Sequence, residues 1–356
     1  MAVISFKCPN CDGELLFDPG TGKYKCEYCY SLFSQEELDA MNQDASAESE
    51  PSGETNTSDT SDDSKEQDAV IYNCPSCGAQ IVTDDTTAAT FCYYCHNPVV
   101  LGGRLEGEFL PNKIIPFSID KKDAEKRFLD FAGKKKFVPR AFFQKKQIDS
   151  LTGVYFPYWL YNATLQGGLQ AEATRVRIWV AGDEEFTETK IYSVERDGEV
   201  ELNHLYENAL QKANKTLAEG VFPYNFEEIQ DFKLGYLSGF LAEKRDIEKD
   251  VLEQGLQQEV QGYAEHLVQE SIDGYDGVVV KNCDFQIEND EWSYVLLPVW
   301  TVTYKGHNGK MYYYSLNGQT GNVCGELPID YKKLGLFSGI VASVVLIFGM
   351  IGGYLL

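Results

Sequence analysis

Apolar and polar positions change rhythm several times along the chain, and each change predicts a different element. From Leu334 to Leu356 the sequence reads LGLFSGIVASVVLIFGMIGGYLL, 23 residues without a charge. At 1.5 Å per residue this predicts a helix of about 34 Å, enough to cross a hydrocarbon core of roughly 30 Å. Only Ser338 and Ser343 interrupt it, so it lacks the polar face of a helix buried in a soluble protein. Residues 104–330 alternate shorter patterns. FLPNKIIPFSI (109–119) reads as a strand interrupted by prolines. DKKDAEKRFLDFAGKKKF then predicts a helix with Asp120 as its N-cap, an apolar side of Phe128, Leu129 and Phe131, and a stop at Gly133. Between Ala242 and Ile272, residues Ile247, Val251, Leu256, Val260, Tyr263 and Leu267 recur at three to five positions and predict an amphipathic helix. Gly255 and Gly262 weaken such a helix in isolation, which favours packing against a sheet.

Two aromatic, strand-like stretches resemble each other. VYFPYWLYNATL (154–165) and VLLPVWTVTYKG (295–306) align Pro157 and Trp159 with Pro298 and Trp300, 141 positions apart. Each follows helical sequence and precedes more alternating strand, so the body reads as a duplicated helix-plus-meander unit with halves at 104–200 and 201–330.

A second internal repeat carries chemistry. Residues 8–29 read CPNCDGELLFDPGTGKYKCEYC and residues 74–95 read CPSCGAQIVTDDTTAATFCYYC. Two cysteines two residues apart on a tight turn can aim both sulfurs at one zinc about 2.3 Å away, and a second such turn completes a tetrahedron. The expected ligands are Cys8, Cys11, Cys26 and Cys29 in one ribbon (residues 1–33) and Cys74, Cys77, Cys92 and Cys95 in the other (residues 71–103). In the first, Leu15, Leu16 and Phe17, a DPGTG turn and a return strand ending at Cys26 make a hairpin too small for a core of its own. Each Zn2+ would therefore be structural, supplying folding energy from a closed shell without an open catalytic position. His96 follows Cys95 directly and is either a spare ligand or a surface residue.

Between the ribbons, residues 34–70 are acidic and rich in Ser and Thr. Glu36 to Asp68 holds twelve acids against Lys65, and beyond Met41 there is almost nothing to bury, which predicts a disordered linker. It is either a solvated spacer with no binding role or a tether on which a mobile first ribbon searches for a partner. The whole chain carries a formal charge of -24, which disfavours nonspecific contact with nucleic acid. Lys121 to Lys146 runs against this trend, with ten basic residues to three acidic. That stretch reads as a face for anionic lipid headgroups, as a phosphate contact or as the solvated side of a helix.

Lys332 and Lys333 precede the apolar tail, so the positive-inside rule predicts a single-pass protein of the cell membrane with its N-terminal bulk in the cytoplasm. The ten cysteines then lie in a reducing compartment, and eight of them read as metal ligands, with Cys283 and Cys324 left over. Gly335, Gly339 and Ser343 fall on one face of the tail helix, which suits homo- or hetero-association in the bilayer as well as it suits the ordinary glycine content of such helices. No phosphate loop, dinucleotide fingerprint, HExxH or GxSxG motif occurs, so no enzymatic reaction is expected.

The cysteine pairs CPNC…CEYC and CPSC…CYYC, the FPYW and LPVW segments and the terminal span after Asp330-Tyr-Lys-Lys together resemble a family of Gram-positive bacteria known as TFIIB-type zinc-ribbon proteins. Some of its members are mislabelled as a replication-restart helicase. The resemblance implies companionship with PspA-type phage-shock proteins and SPFH-domain proteins in a membrane-stress complex. The expected architecture is α+β: two small four-cysteine zinc ribbons, a mixed α/β body and one C-terminal transmembrane helix. The expected function is a non-enzymatic, membrane-anchored adaptor, with a membrane-tethered nucleic-acid binder as the alternative.

Overall fold

The computed structural model describes residues 3–4, 6–38, 70–74, 80–83, 86–92, 98–101, 105, 107–139, 148, 150–211, 219–305 and 310–355. Short strands come first: β1 (Val3–Ile4), β2 (Leu15–Asp18), β3 (Lys23–Cys26) and β4 (Leu32–Phe33). The second cysteine repeat contributes β5 (Val70–Asn73), β6 (Gln80–Thr83), β7 (Thr87–Phe91) and β8 (Pro98–Leu101). Then follow β9 (Lys113–Ile114), helix α1 (Lys121–Gly133), and two long strands, β10 (Thr152–Ala181) and β11 (Glu184–Asn208). The order repeats after β12 (Gln230–Asp231) and β13 (Leu241–Glu243): helix α2 (Lys249–Glu270), β14 (Gly277–Lys305), β15 (Met311–Asn317), β16 (Val323–Gly325) and the apolar helix α3 (Tyr331–Leu355). The fold is α+β, with a cysteine group near its N-terminus and one long apolar helix at its C-terminal end. The acidic stretch expected to be disordered lies outside the described residues, apart from residues 34–38, which include a helical turn at 35–38, and Val70 at the start of β5. Ser34 and Glu37 cap that turn reciprocally.

These residues divide into two units. The first comprises Met1–Pro157, Lys212–Lys244 and Leu296–Leu356. Here β8 pairs antiparallel with β1 and β7, β7 with β13, and β13 runs parallel to the start of β10. The end of β14 pairs with β15, and β15 with β16. Aromatic rings fill the centre. Phe117 stacks on Phe240 at 4.2 Å and meets Tyr155 and Trp300 edge-on. Asp120 caps α1 as expected, its side chain accepting from the Asp123 N–H, and the helix ends at Gly133. Its buried face is Ala124, Phe128 and Ala132, spaced four apart, so Leu129, assigned to the apolar side from sequence, lies outside the buried face.

The second unit comprises Tyr158–Gln211 and Arg245–Val295. Strands β10 and β11 form one antiparallel ladder from Tyr158↔Asn208 to Ala181↔Glu184, turning at Gly182 with φ 71°. Ala163, Leu165, Leu169, Ala171 and Ala173 are buried with Leu256, Val260 and Ala264 of α2. The expected α2 stripe is thus corrected. The helix begins only at Lys249, and Val251, Tyr263 and Leu267 are exposed, because the packed face runs through Leu256, Val260 and the small Ala264. Gly167 is required where two strands nearly touch, since an added Cβ would sit 2.0 Å from the Asp284 carbonyl oxygen.

The Pro-Trp segments occupy matching places. In the first unit, Trp300 Nε1–H donates to the Ile119 carbonyl at 2.9 Å, one residue before the α1 N-cap. Phe117 N–H donates to Tyr155 Oη at 3.3 Å, and Ser118 and Ile119 both donate to the Gly318 carbonyl. In the second unit, Trp159 Nε1–H donates to the Ile247 carbonyl at 2.9 Å, one residue before the α2 N-cap. Arg245 N–H donates to Tyr294 Oη at 3.3 Å, and Asp246 and Ile247 both donate to the Ala209 carbonyl. Where Phe117 packs on Trp300, the buried Arg245 lies over Trp159 at 4.9 Å and pairs with Glu248. Burial pushes the Tyr155 and Tyr294 hydroxyls well above the ordinary phenol range, so both stay protonated and can serve these amides. The same junction is made twice, each time between a tryptophan of one helix-strand segment and the lead-in to the helix of the other.

Removing an indole donor leaves a helix lead-in carbonyl without its partner. Trp300→Phe and Trp159→Phe are each expected to cost about 1–3 kcal/mol. Chemical denaturation of the detergent-solubilised full chain checks this, and an unchanged midpoint would deny the junctions a structural role.

Candidate metal centre

The first ribbon is built as its residues require. Leu15↔Cys26 through Asp18↔Lys23 pair β2 with β3, and β4 adds Tyr24↔Phe33. The loop ends bring Cys8, Cys11, Cys26 and Cys29 together, all four sulfurs within 4.8 Å of one another. Cys8 Sγ lies 3.5 Å from Cys29 Sγ, and Cys11 Sγ lies 3.5 Å from Cys26 Sγ. Four sulfurs about 2.3 Å from a central ion would stand about 3.8 Å apart, so a small closure or opening of these gaps fits a tetrahedral ion. Asp12 (φ 58°) and Tyr30 (φ 59°), each directly after the second cysteine of its pair, take the left-handed conformation that turns the chain back beneath the sulfurs. Backbone N–H groups face the ligands: Asn10 and Cys11 toward Cys8, Gly13 toward Cys11, and Ser31 toward Cys29. Such donors offset thiolate charge and orient the ligands.

Ser31 joins the two cysteine turns. Asn10 Nδ2–H donates to Ser31 Oγ at 3.0 Å, and Ser31 Oγ lies 3.2 Å from Cys29 Sγ, where it accepts from the thiol and can donate to the thiolate. The Ser31 hydroxyl first, and its backbone N–H second, pull the Cys29 thiol down to about 6. Cys8 and Cys26 are buried while Cys11 and Cys29 reach the surface, so the group sits at the edge of the ribbon. An all-sulfur, closed donor set of this shape could hold a metal ion, and the soft thiolate character suits zinc.

The ribbon is not left to roam. Phe17 N–H donates to the Ser238 carbonyl at 3.0 Å, and the buried Ser238 hydroxyl donates to the Leu15 carbonyl. Phe17 also meets Tyr236 edge-on at 5.2 Å. Tyr24 lies so close to Gly235 that a Cβ there would stand 2.5 Å from the tyrosine hydroxyl. The mobile first ribbon expected from the acidic linker is corrected by these bonds: the hairpin edge is satisfied by the turn at residues 234–238. Neither Gly235 nor Ser238 carries a motif that sequence reasoning could single out. In the second repeat, Cys74 and Cys92 are buried together with Tyr72, Val99 and Leu101. Cys77, Cys95 and His96 lie outside the described residues.

The uncharacterized protein YdjG of Bacillus subtilis (strain 168) is 32% identical to this chain over 345 residues, which cover 97% of this chain and 96% of the relative. No protein-family model and no solved structure matches the chain.

Three outcomes test this site. Cys26→Ser should remove one equivalent of zinc per chain, measured by metal analysis of the purified protein. Ser31→Ala raises the Cys29 pKa by removing its main hydroxyl donor, so protons compete with the metal at higher pH. The acid midpoint of zinc release should therefore move up, and affinity at neutral pH should fall roughly tenfold. Gly235→Val should leave zinc content intact while detaching the ribbon, seen as faster proteolysis between the ribbon and the body.

Proposed function

The chain belongs to the same family as YdjG, and we propose, on the features of its own sequence and structure, that it is a non-enzymatic, membrane-anchored zinc-ribbon adaptor. One Zn2+ is held by Cys8, Cys11, Cys26 and Cys29, and a second by Cys74, Cys77, Cys92 and Cys95. The observation that carries the reading is what the first cysteine site displays. Tyr28 and Tyr30, inside and directly after the Cys26–Cys29 turn, are each 72% exposed, with Leu32 beside them. Aromatic side chains are the typical anchors of a protein contact, and here the hairpin that leads to the turn is fastened to Ser238 through Leu15 and Phe17. At the other end, α3 is 25 residues long, carries no charge beyond Lys333, and buries none of its apolar window, which suits a lipid surrounding. Lys332 and Lys333 favour a cytoplasmic location for the preceding residues. The partners best suited are membrane-associated proteins of the SPFH-domain or PspA type, in line with the TFIIB-type zinc-ribbon resemblance and a role in membrane stress. The tail's face of Gly335, Gly339 and Ser343 would permit self- or partner association within the bilayer.

Affinity capture from detergent-solubilised membranes tests the adaptor. The full chain should retain a set of membrane-associated proteins at moderate salt. Cys8→Ser/Cys74→Ser should lose them, and Tyr28→Ser/Tyr30→Ser should lose them while keeping its zinc. Recovery of nucleic acid instead, released steeply as salt rises, would favour a tethered nucleic-acid binder.

A further inference from the structure

Three consecutive lysines sit where the chain would meet a bilayer. Lys134, Lys135 and Lys136 follow α1 directly and are exposed. The next two residues fasten their loop to the base of α3. Asp330 N–H donates to the Phe137 carbonyl at 2.7 Å, and Lys333 Nζ donates to the Val138 carbonyl at 2.7 Å. The Phe137 ring meets Phe337, in the second turn of α3, at 5.4 Å. A basic loop nearly two hundred positions away in sequence is thereby held at the root of the apolar helix, next to Lys332 and Lys333.

Beneath the lysines opens a cavity of about 530 Å³. Its walls are apolar, from Phe131, Phe137, Val138, Leu327 and Ile329, and the three lysines form its basic side. Glu326 also lines it, but that carboxylate is already paired with Lys310. Like charges held side by side repel one another, and an anion among them relieves the repulsion. An open apolar cavity with a cationic rim, placed at the root of the apolar helix, complements a molecule that joins an anionic phosphate to a hydrocarbon chain.

We propose that this cavity binds the headgroup of an anionic phospholipid from the leaflet α3 enters, its phosphodiester among Lys134, Lys135 and Lys136 and its first methylenes against Phe131 and Phe137. The site rests on the membrane reading of α3. It would also fix the height of the first unit at the bilayer, because the same loop lines the cavity and is bonded to the base of the helix.

Native mass spectrometry of the full chain, released from detergent with equal amounts of phosphatidylglycerol and phosphatidylcholine, tests the site. The wild type should retain phosphatidylglycerol about tenfold over phosphatidylcholine, as expected when several lysines act near an anionic headgroup. Lys134→Glu/Lys135→Glu/Lys136→Glu should abolish the preference, and the corresponding Gln variant should do so if the Glu form does not fold. Lys121→Glu/Lys122→Glu/Lys126→Glu makes the same change of charge on α1 and should keep the preference. Equal retention of both lipids by the wild type, equal loss in both triple variants, or displacement of the lipid by inorganic phosphate would each overturn the proposal. Flotation of the wild type with pure phosphatidylcholine vesicles separates the two readings. Failure to float sinks the membrane anchor, whereas flotation without a lipid preference sinks the headgroup site alone.

Discussion

Four sulfurs held within 4.8 Å are the constraint from which the N-terminal part of this molecule follows. Without an ion between them, the ribbon has few large side chains of its own to bury, chiefly Leu15, Phe17, Tyr24 and Phe33. Its bonds to the turn at Ser238 are individually worth about 0.5–1.5 kcal/mol. A bound structural zinc contributes on the order of 10 kcal/mol to folding such a unit. The metal would therefore decide whether the ribbon exists, and the docking bonds only where it stands. A rigid, located ribbon then fixes the direction in which Tyr28 and Tyr30 face.

The body answers a different problem, how to seat two helices on very long strands. Each helix lead-in has backbone groups that a helix does not satisfy. The chain satisfies them with a tryptophan indole, a buried neutral tyrosine and a carbonyl just past a strand end, once around Ile119 and once around Ile247. Because Trp300 serves α1 and Trp159 serves α2, each helix lead-in is tied through its indole to the strand that follows the other helix, and through a tyrosine to the strand that follows its own. Segments far apart in sequence are thereby committed to one unit, as the division at Pro157, Lys244 and Val295 reflects.

Much of this was legible in the residues. The cysteine spacing located the first group of sulfurs, Asp120 and Gly133 bounded α1, and an uncharged run of 23 residues marked the tail. The Pro-Trp pair signalled that two distant stretches do related work. What sequence could not supply was tertiary. The α2 stripe read from large apolar residues differs from the packed face because that face depends on a small residue, Ala264, where the helix lies against the sheet. The fastening of the ribbon was missed because Gly235 and Ser238 act through close approach and a single hydroxyl, neither of which leaves a periodic trace. The basic stretch was visible as charge, but its place at the foot of α3 rests on two backbone carbonyls, those of Phe137 and Val138.

The most direct test of the account is hydrogen exchange on the full chain before and after zinc is removed with a chelator. If the metal folds the ribbon and the ribbon covers its seat, exchange should accelerate across residues 6–33 and in the turn at 234–238, while the ladder of β10 and β11 keeps its protection. Unchanged protection of residues 6–33 without metal would contradict the claim that the four sulfurs hold this part of the molecule together.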